Sequence, residues 1–172
     1  MVSRWLNQSE ERAWRGFRRT FILLEARLAS ELTQRTGLSM ADYSVLSNLV
    51  EAAERTFRIT ALAEQMQWSQ SRLSHQIRRM EERGLVKRQD IKDDARGARV
   101  VLTRKGLQAI AQATPIHFAG VRMHMLDLLD DHQVEALADI AETVIAHLTD
   151  QSGALADRDR KVAPTPTSVI PR

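Results

Sequence analysis

Between Ser69 and Arg88 the chain reads SQSRLSHQIRRMEERGLVKR, with one apolar helical face and another crowded with Arg, Ser, Gln and His. Leu73, Ile77 and Met80 recur at fourfold and threefold spacing and form the inward stripe. Ser71, His75, Arg78 and Glu82 then point the other way, flanked by Arg72, Ser74 and Arg79. A face turned only to water commonly alternates Glu and Lys four residues apart. This one carries short polar residues first and arginines later, side chains that donate to base edges and phosphates. Ser71, Arg72, Ser74 and His75 are therefore assigned to bases, and Arg78, Arg79 and Lys105 to phosphates. The bland alternative makes Ser69 only a helix cap and leaves Arg79 and Arg83 in surface ion pairs with Glu82 or a neighbour.

Charge distribution favours the polyanion. The segment Ser69 to Gly106 holds eleven Lys and Arg against five acids, a net +6, whereas the whole chain is only +3. Such concentration in a nearly balanced protein is the footprint of a nucleic-acid partner. Arg104 and Lys105 open a helix, where cations oppose the helix dipole unless a phosphate lies nearby.

Other chemistries find less support. The absence of cysteine excludes disulfides, thiolate metal sites and a cysteine redox sensor. Histidines 75, 117, 124, 132 and 147 show no metal-ligand spacing; His117 and His124 stand seven apart without a carboxylate between them. No glycine-rich phosphate loop occurs, so neither an enzyme nor a metal or other cofactor is expected. The N-terminus MVSRWLNQSEERAW lacks an apolar stretch of signal-peptide length, and no run approaches the roughly 20 residues of a membrane span. A cytoplasmic protein without membrane contact is the expectation.

The elements that must position this face are readable from caps and periodicity. In 172 residues, 43% hydrophobic and 27% charged, one globular domain is expected. Asn7 and Glu10 have capping-box spacing, and Trp14, Phe17, Phe21, Leu24, Leu28 and Leu32 trace a long amphipathic helix ending at Gly37. Ser39 and Asp42 cap a second helix with Leu46, Leu49 and Val50 inward, and EAAERTFR makes a polar connection. Ile59, Leu62, Ala63 and Met66 mark a short helix with Thr60 as its cap. After a turn through Gln67 and Trp68, Ser69 caps the basic helix, Trp68 and Leu73 staple its start, and Gly84 ends it with Leu85 packed back on Met80. VKRQDI and RVVLT read as two strands around the polar loop KDDARGA. Thr103 caps a helix through Leu107, Ile110, Phe118, Val121, Met125 and Leu128, with a kink expected at Pro115. Asp130 and Gln133 open a last helix whose stripe Val134, Leu137, Ala141, Val144 and Leu148 resembles a coiled-coil seam. Residues 151–172 lack periodicity and are expected to be a disordered tail.

Two capped helices joined by a short turn and followed by a basic hairpin form a winged helix-turn-helix. One helix enters the major groove, and the hairpin loop, with Arg96 at its tip, reaches an adjacent minor groove. The stretch SRLSHQIRRMEERGLVKRQDIKDDARGARVVLTRKG resembles the recognition helix and wing of the MarR family of bacterial transcription regulators, in ERGLV, in Asp94-Ala95-Arg96 and in LTRKG. ITALAEQM and GLSMADYSVL are also similar, so the resemblance covers roughly residues 8 to 149. It implies a mainly α fold with a small β-hairpin wing: a dimerisation helix over 1–38, a winged helix-turn-helix lobe over 39–104, and C-terminal dimerisation helices over 105–150. It further implies an obligate homodimer, Arg96 as the minor-groove arginine, Asp94 bracing the wing with Arg99 as partner, and in many members a small aromatic or phenolic ligand. Trp14, Arg18, Tyr43 and His117 are the candidates for such a site. Gln67 departs from the glycine common in helix-turn-helix turns, at a cost of roughly 1 kcal/mol for a left-handed residue.

The function expected is a repressor that occupies a pseudo-palindromic double-stranded DNA site as a homodimer and is released by a ligand. Its alternatives are a sequence-tolerant architectural DNA-binding dimer without an effector, and a winged module that contacts protein.

Overall fold

A computed structural model describes residues 5–91 and 94–150, without the side chains of 91, 94–97 and 150. Lys92, Asp93 and the expected tail lie outside the described residues, as do the side chains of Asp94 and Arg96. The chain divides into two compact units, Met1–Met125 and Leu126–Arg172.

The first unit begins with α1 (Gln8–Thr36). Its capping box forms as the spacing predicts: Asn7 Oδ1 accepts from Ser9 N at 2.9 Å and Glu10 N at 3.0 Å, and Asn7 N donates to Glu10 Oε2 at 2.8 Å. Gly37, at φ +70°, closes the helix. Only Leu28 and Leu32 of the α1 stripe are buried, while Trp14, Phe17 and Phe21 are each more than half exposed. Ser39 and Asp42 form a second capping box at α2 (Met40–Glu51), whose Val45, Leu46 and Leu49 are fully buried.

The connection after α2 contains more structure than its polar composition predicts. Thr56–Arg58 form β1, which pairs antiparallel with β3 (Asp94–Leu102), itself paired with β2 (Val86–Ile91), giving a three-stranded sheet of order β1-β3-β2. Three residues are too few for a period-two pattern, and β1 is held by its partner: Phe57 faces Val100 in register, and Thr56 Oγ1 donates to the Val100 carbonyl at 3.1 Å. Next comes α3 (Ile59–Gln65), whose N-cap is Arg58, two residues ahead of the expected Thr60, without a side-chain cap bond. The basic helix α4 (Gln70–Glu82) follows, and α5 (Arg104–His124) runs as one helix through Pro115. It ends at His124, four residues before Leu128, with Met125 as its C-cap, and Leu126–Leu128 form a separate 3₁₀ turn.

Leu32, Leu46, Leu49, Leu62, Leu73, Met80, Val86 and Val100 are almost wholly buried and form one core of α1, α2, α3, α4 and the sheet. Burying each such side chain contributes about 1.5–3 kcal/mol. The inward face of α4 is therefore what fixes the outward one.

Beside this core, α1 and α5 meet through a polar contact. His124 Nε2 donates to Glu31 Oε1 at 2.8 Å, and Arg27 Nε donates to the same oxygen at 2.8 Å. The His124 bond is the main cause holding the Glu31 carboxyl below the usual glutamate range, against partial burial, with the Arg27 bond adding to it. A carboxyl with a lowered folded pKa stabilises the fold above its unfolded value, and this contribution is lost as pH falls through the folded value. Glu31→Gln should therefore lower the melting temperature at neutral pH, with the gap to the parent closing below about pH 4. A gap unchanged across that range in thermal scans would refute the contact's role.

In the second unit, α6 (Asp131–Asp150) opens with a reciprocal pair, Asp130 N to Gln133 Oε1 at 3.0 Å and Gln133 N to Asp130 Oδ1 at 2.8 Å. Val134, Ile140, Val144, Ile145 and Leu148 are exposed along it. No helix among the described residues is long and apolar enough to cross a membrane.

Candidate nucleic-acid interface

The turn between α3 and α4 is built without glycine. Gln67 takes φ +53°, its side-chain amide donates to the Glu64 carbonyl at 2.8 Å, and Trp68 N donates to the Ala63 carbonyl at 2.9 Å. These bonds offset the strain of a non-glycine left-handed residue. Ser69 then caps α4, its Oγ accepting from Arg72 N at 3.2 Å.

Leu73, Ile77 and Met80 are buried, and Ser71, Arg72, Ser74, His75, Arg78 and Arg79 are all exposed. The structure thus brings six of the predicted DNA-facing residues onto one helix. Several are held rather than free. The Arg72 guanidinium lies 3.9 Å over the Trp68 ring, a cation–π contact that restrains it at the start of the helix. Arg78 Nη2 lies 3.4 Å from His75 Nδ1.

Gln76 departs from the expected polar face: it is buried. Its amide Nε2 donates to Asp42 Oδ1 at 2.7 Å, and its Oε1 accepts from Arg79 Nη2. Arg83 Nη1 pairs with Asp42 Oδ2 at 2.7 Å, and its Nη2 donates to the Gly37 carbonyl at 2.9 Å. The same Asp42 oxygen accepts from Ser39 N and Ser39 Oγ, each at 2.9 Å. Arg83 thus joins α4 to α2 and to the end of α1, where a pair with Glu82 or a near neighbour was the bland expectation. The sequence carried a sign of Gln76: residues 73, 76, 77 and 80 have the spacing of one helical face. Nothing local pairs Asp42 with residues 34 and 41 positions away.

The end of α4 leads directly into the wing. Gly84 at φ +73° and the bond from Leu85 N to the Met80 carbonyl at 2.9 Å make the expected Schellman-type stop. Glu81 Oε1 accepts from Arg88 N at 2.8 Å, tying β2 to α4. Lys105 is exposed, and its Nζ donates to the Arg83 carbonyl at 2.7 Å, which places its charge at the C-terminal end of α4. Arg99 is exposed on β3, opposite Gln89 of β2 and Arg58 of β1. Its expected pairing with Asp94, and the insertion of Arg96, involve side chains outside the described residues.

Of the residues assigned to a ligand, the structure joins two. The Tyr43 and His117 rings lie 4.5 Å apart between α2 and α5. Burial pushes the Tyr43 hydroxyl pKa up against a bond with Thr114, and burial pushes the His117 pKa down, which keeps its ring neutral at neutral pH. His117 Nδ1 is buried with no hydrogen-bond partner among the described residues. Trp14 stacks instead on Phe17, and Arg18 lies on the exposed surface of α1. Among the described residues no group of three or more His, Cys, Asp or Glu could hold a metal.

Comparison with curated proteins finds no match. A sequence model of the MarR family matches residues 38–97. The crystal structure of AbsC, a MarR family transcriptional regulator from Streptomyces coelicolor, is 39% identical, with 85% of this chain and 98% of that chain covered at a TM-score of 0.77. Sco3205, a MarR family transcriptional regulator from the same organism solved in complex with DNA, is 34% identical, covering 85% of this chain and 92% of that one at a TM-score of 0.79. BpsR from Bordetella bronchiseptica shares the fold at 16% identity and a TM-score of 0.68, with 77% and 98% covered. With a helix-turn-helix that displays its basic face, a wing in place, and these relatives matching along nearly their whole length, the chain belongs to the MarR family of transcriptional regulators.

Proposed function

We propose that the protein is a repressor that binds a pseudo-palindromic operator as a homodimer and is released by a small aromatic or phenolic ligand. The observation that carries the DNA part is the exposed face of α4, where Ser71, Arg72, Ser74, His75, Arg78 and Arg79 project from a helix fixed by its buried side. Ser71, Arg72, Ser74 and His75 read bases, Arg78, Arg79 and Lys105 meet phosphates, and Arg96 enters the minor groove with Asp94 and Arg99 bracing the wing. The DNA complex of Sco3205 supports the partner. Exposed apolar stripes on α1 and on α6 support a second copy as the other partner. Two-fold symmetry then sets the recognition helices about 34 Å apart, or a multiple of it.

For the ligand, the support is the Tyr43–His117 pair with its unsatisfied ring nitrogen, which suits a phenolic hydroxyl or aromatic acid. Trp14 and Arg18, which α1 holds away from this pair, would join it only from the α1 of a second copy. The same fold serves BpsR, whose DNA binding is regulated by 6-hydroxynicotinic acid. Release requires that the ligand favour a dimer whose helices are wrongly spaced for DNA.

The test is selection of binding sites from random duplex DNA at about 150 mM salt, followed by the affinity ratio to a scrambled duplex. An inverted repeat preferred by roughly a thousandfold or more is expected, and His75→Ala should change the preferred bases while leaving the salt dependence intact. Weak, unselective, steeply salt-dependent binding would replace this reading with a sequence-tolerant architectural protein, and absence of binding would replace it with a protein-interaction module. The selected duplex then serves to screen aromatic and phenolic acids for release.

A further inference from the structure

We propose that Asp42 and Gln76 form a buried relay that sets the posture of Arg79, so that operator recognition depends on a carboxylate of α2 that does not itself face DNA. The proposal rests on the reading that the exposed side of α4 meets DNA. Asp42 and Gln76 are almost wholly buried, and their contact joins elements that are separate in sequence, Asp42 near the start of α2 and Gln76 at the middle of α4.

The physical basis is the polarity of an amide. A carboxylate only accepts hydrogen bonds and a guanidinium only donates them, whereas the two ends of a glutamine amide differ. Gln76 lies between one of each: its Nε2 donates to Asp42 Oδ1 at 2.7 Å, and its Oε1 accepts from Arg79 Nη2. Flipping the amide would set oxygen against oxygen and nitrogen against nitrogen. The buried carboxylate therefore fixes which end of Gln76 faces outward, and that end fixes the guanidinium.

The other Asp42 oxygen explains why the carboxylate itself does not turn. It accepts from Ser39 N, Ser39 Oγ and Arg83 Nη1, so both oxygens are committed. Arg83 spends its second terminal nitrogen on the Gly37 carbonyl at 2.9 Å. The two arginines consequently divide their work: Arg83 holds α4 to the rest of the fold, and Arg79, exposed and tethered by one nitrogen, offers the remainder of its fork to DNA. A long side chain already confined to one posture loses less freedom on binding. That advantage counts in a complex with one defined geometry and little in non-specific binding, where many postures serve.

A double-mutant cycle on the duplex selected by the parent protein tests the relay. Arg79→Ala should weaken that complex about tenfold. Gln76→Met, similar in size and unable to bridge, should by itself reproduce most of that loss, and adding Gln76→Met to Arg79→Ala should weaken binding no further. Affinity for a scrambled duplex should be the same for parent and Gln76→Met, a result that general damage to the fold would not give. Should Gln76→Met fail to fold, Gln76→Leu, which leaves the Asp42 bonds to Ser39 and Arg83 in place, enters the same cycle with the same expectation. Losses that multiply in the double variant would overturn the relay, as would an Arg79→Ala variant that binds like the parent. If the parent selects no duplex at all, the DNA-facing reading fails first and the relay with it.

Discussion

A chain carrying Phe17→Glu and Phe21→Glu is expected to sediment as a monomer and to bind the selected duplex at least about a hundredfold more weakly than the parent. Both side chains stand one helical turn apart on α1, more than half exposed, beside the stacked Trp14. Ile22 and Leu23 are also half exposed. Contiguous apolar surface of this kind, rich in aromatics, marks an association site. Burying a phenylalanine contributes about 1.5–3 kcal/mol, and a two-fold interface presents every such residue twice. Glutamate removes that gain and adds a charge that must be desolvated. The effect on DNA follows from geometry, because a dimer engages its second half-site at high effective concentration, an advantage the monomer loses. Sedimentation and fluorescence anisotropy on the same samples read both effects. A variant that stays dimeric would place the interface elsewhere, and a monomer with undiminished affinity would end the two-half-site reading.

The same residues show what the sequence could and could not convey. The caps at Asn7, Ser39, Ser69 and Thr103 were legible because capping is local chemistry within three or four residues, and each forms as predicted. The stripe Leu73, Ile77, Met80 was legible for the same reason, and it placed the basic face correctly. The α1 stripe was legible as apolar, yet periodicity cannot separate side chains buried in the core, Leu28 and Leu32, from those left exposed, Trp14, Phe17 and Phe21. β1 was missed because a three-residue strand exists through its pairing with Val100 and Val101 rather than through its own pattern. The Asp42 network was missed because its bonds span 34 and 41 residues. Ser39 and Asp42 were seen as a cap, and that remains true; the capping carboxylate also serves α4.

Gly106→Ala should cost about 3 kcal/mol, more than a single added methyl usually does. Gly106 lies in the first turn of α5, where a Cβ would come within 2.0 Å of the Leu85 carbonyl oxygen and 3.0 Å of its carbon. These are backbone atoms at the junction of α4 and the wing, so no rotamer change can clear them. The same carbonyl accepts from Thr103 N at 3.2 Å and Thr103 Oγ1 at 2.9 Å, while Gly106 N donates to Thr103 Oγ1 at 2.9 Å. Displacing it strains the cap of α5 together with the end of α4. Gly120→Ala isolates the cause. There the added Cβ meets Leu28 Cδ2 at 2.8 Å, the far end of a side chain that can rotate. Both substitutions gain about 1 kcal/mol of helix propensity, so Gly120→Ala should lie near the parent. Gly106→Ala should melt roughly 6–12 °C lower. Because the displaced carbonyl follows directly on α4, its complex with the selected duplex should weaken as well, at temperatures where the variant remains folded. Equal melting of the two variants would mean that the approach of α5 to Leu85 is looser than 2.0 Å implies, and that the joint does not fix where the basic face points.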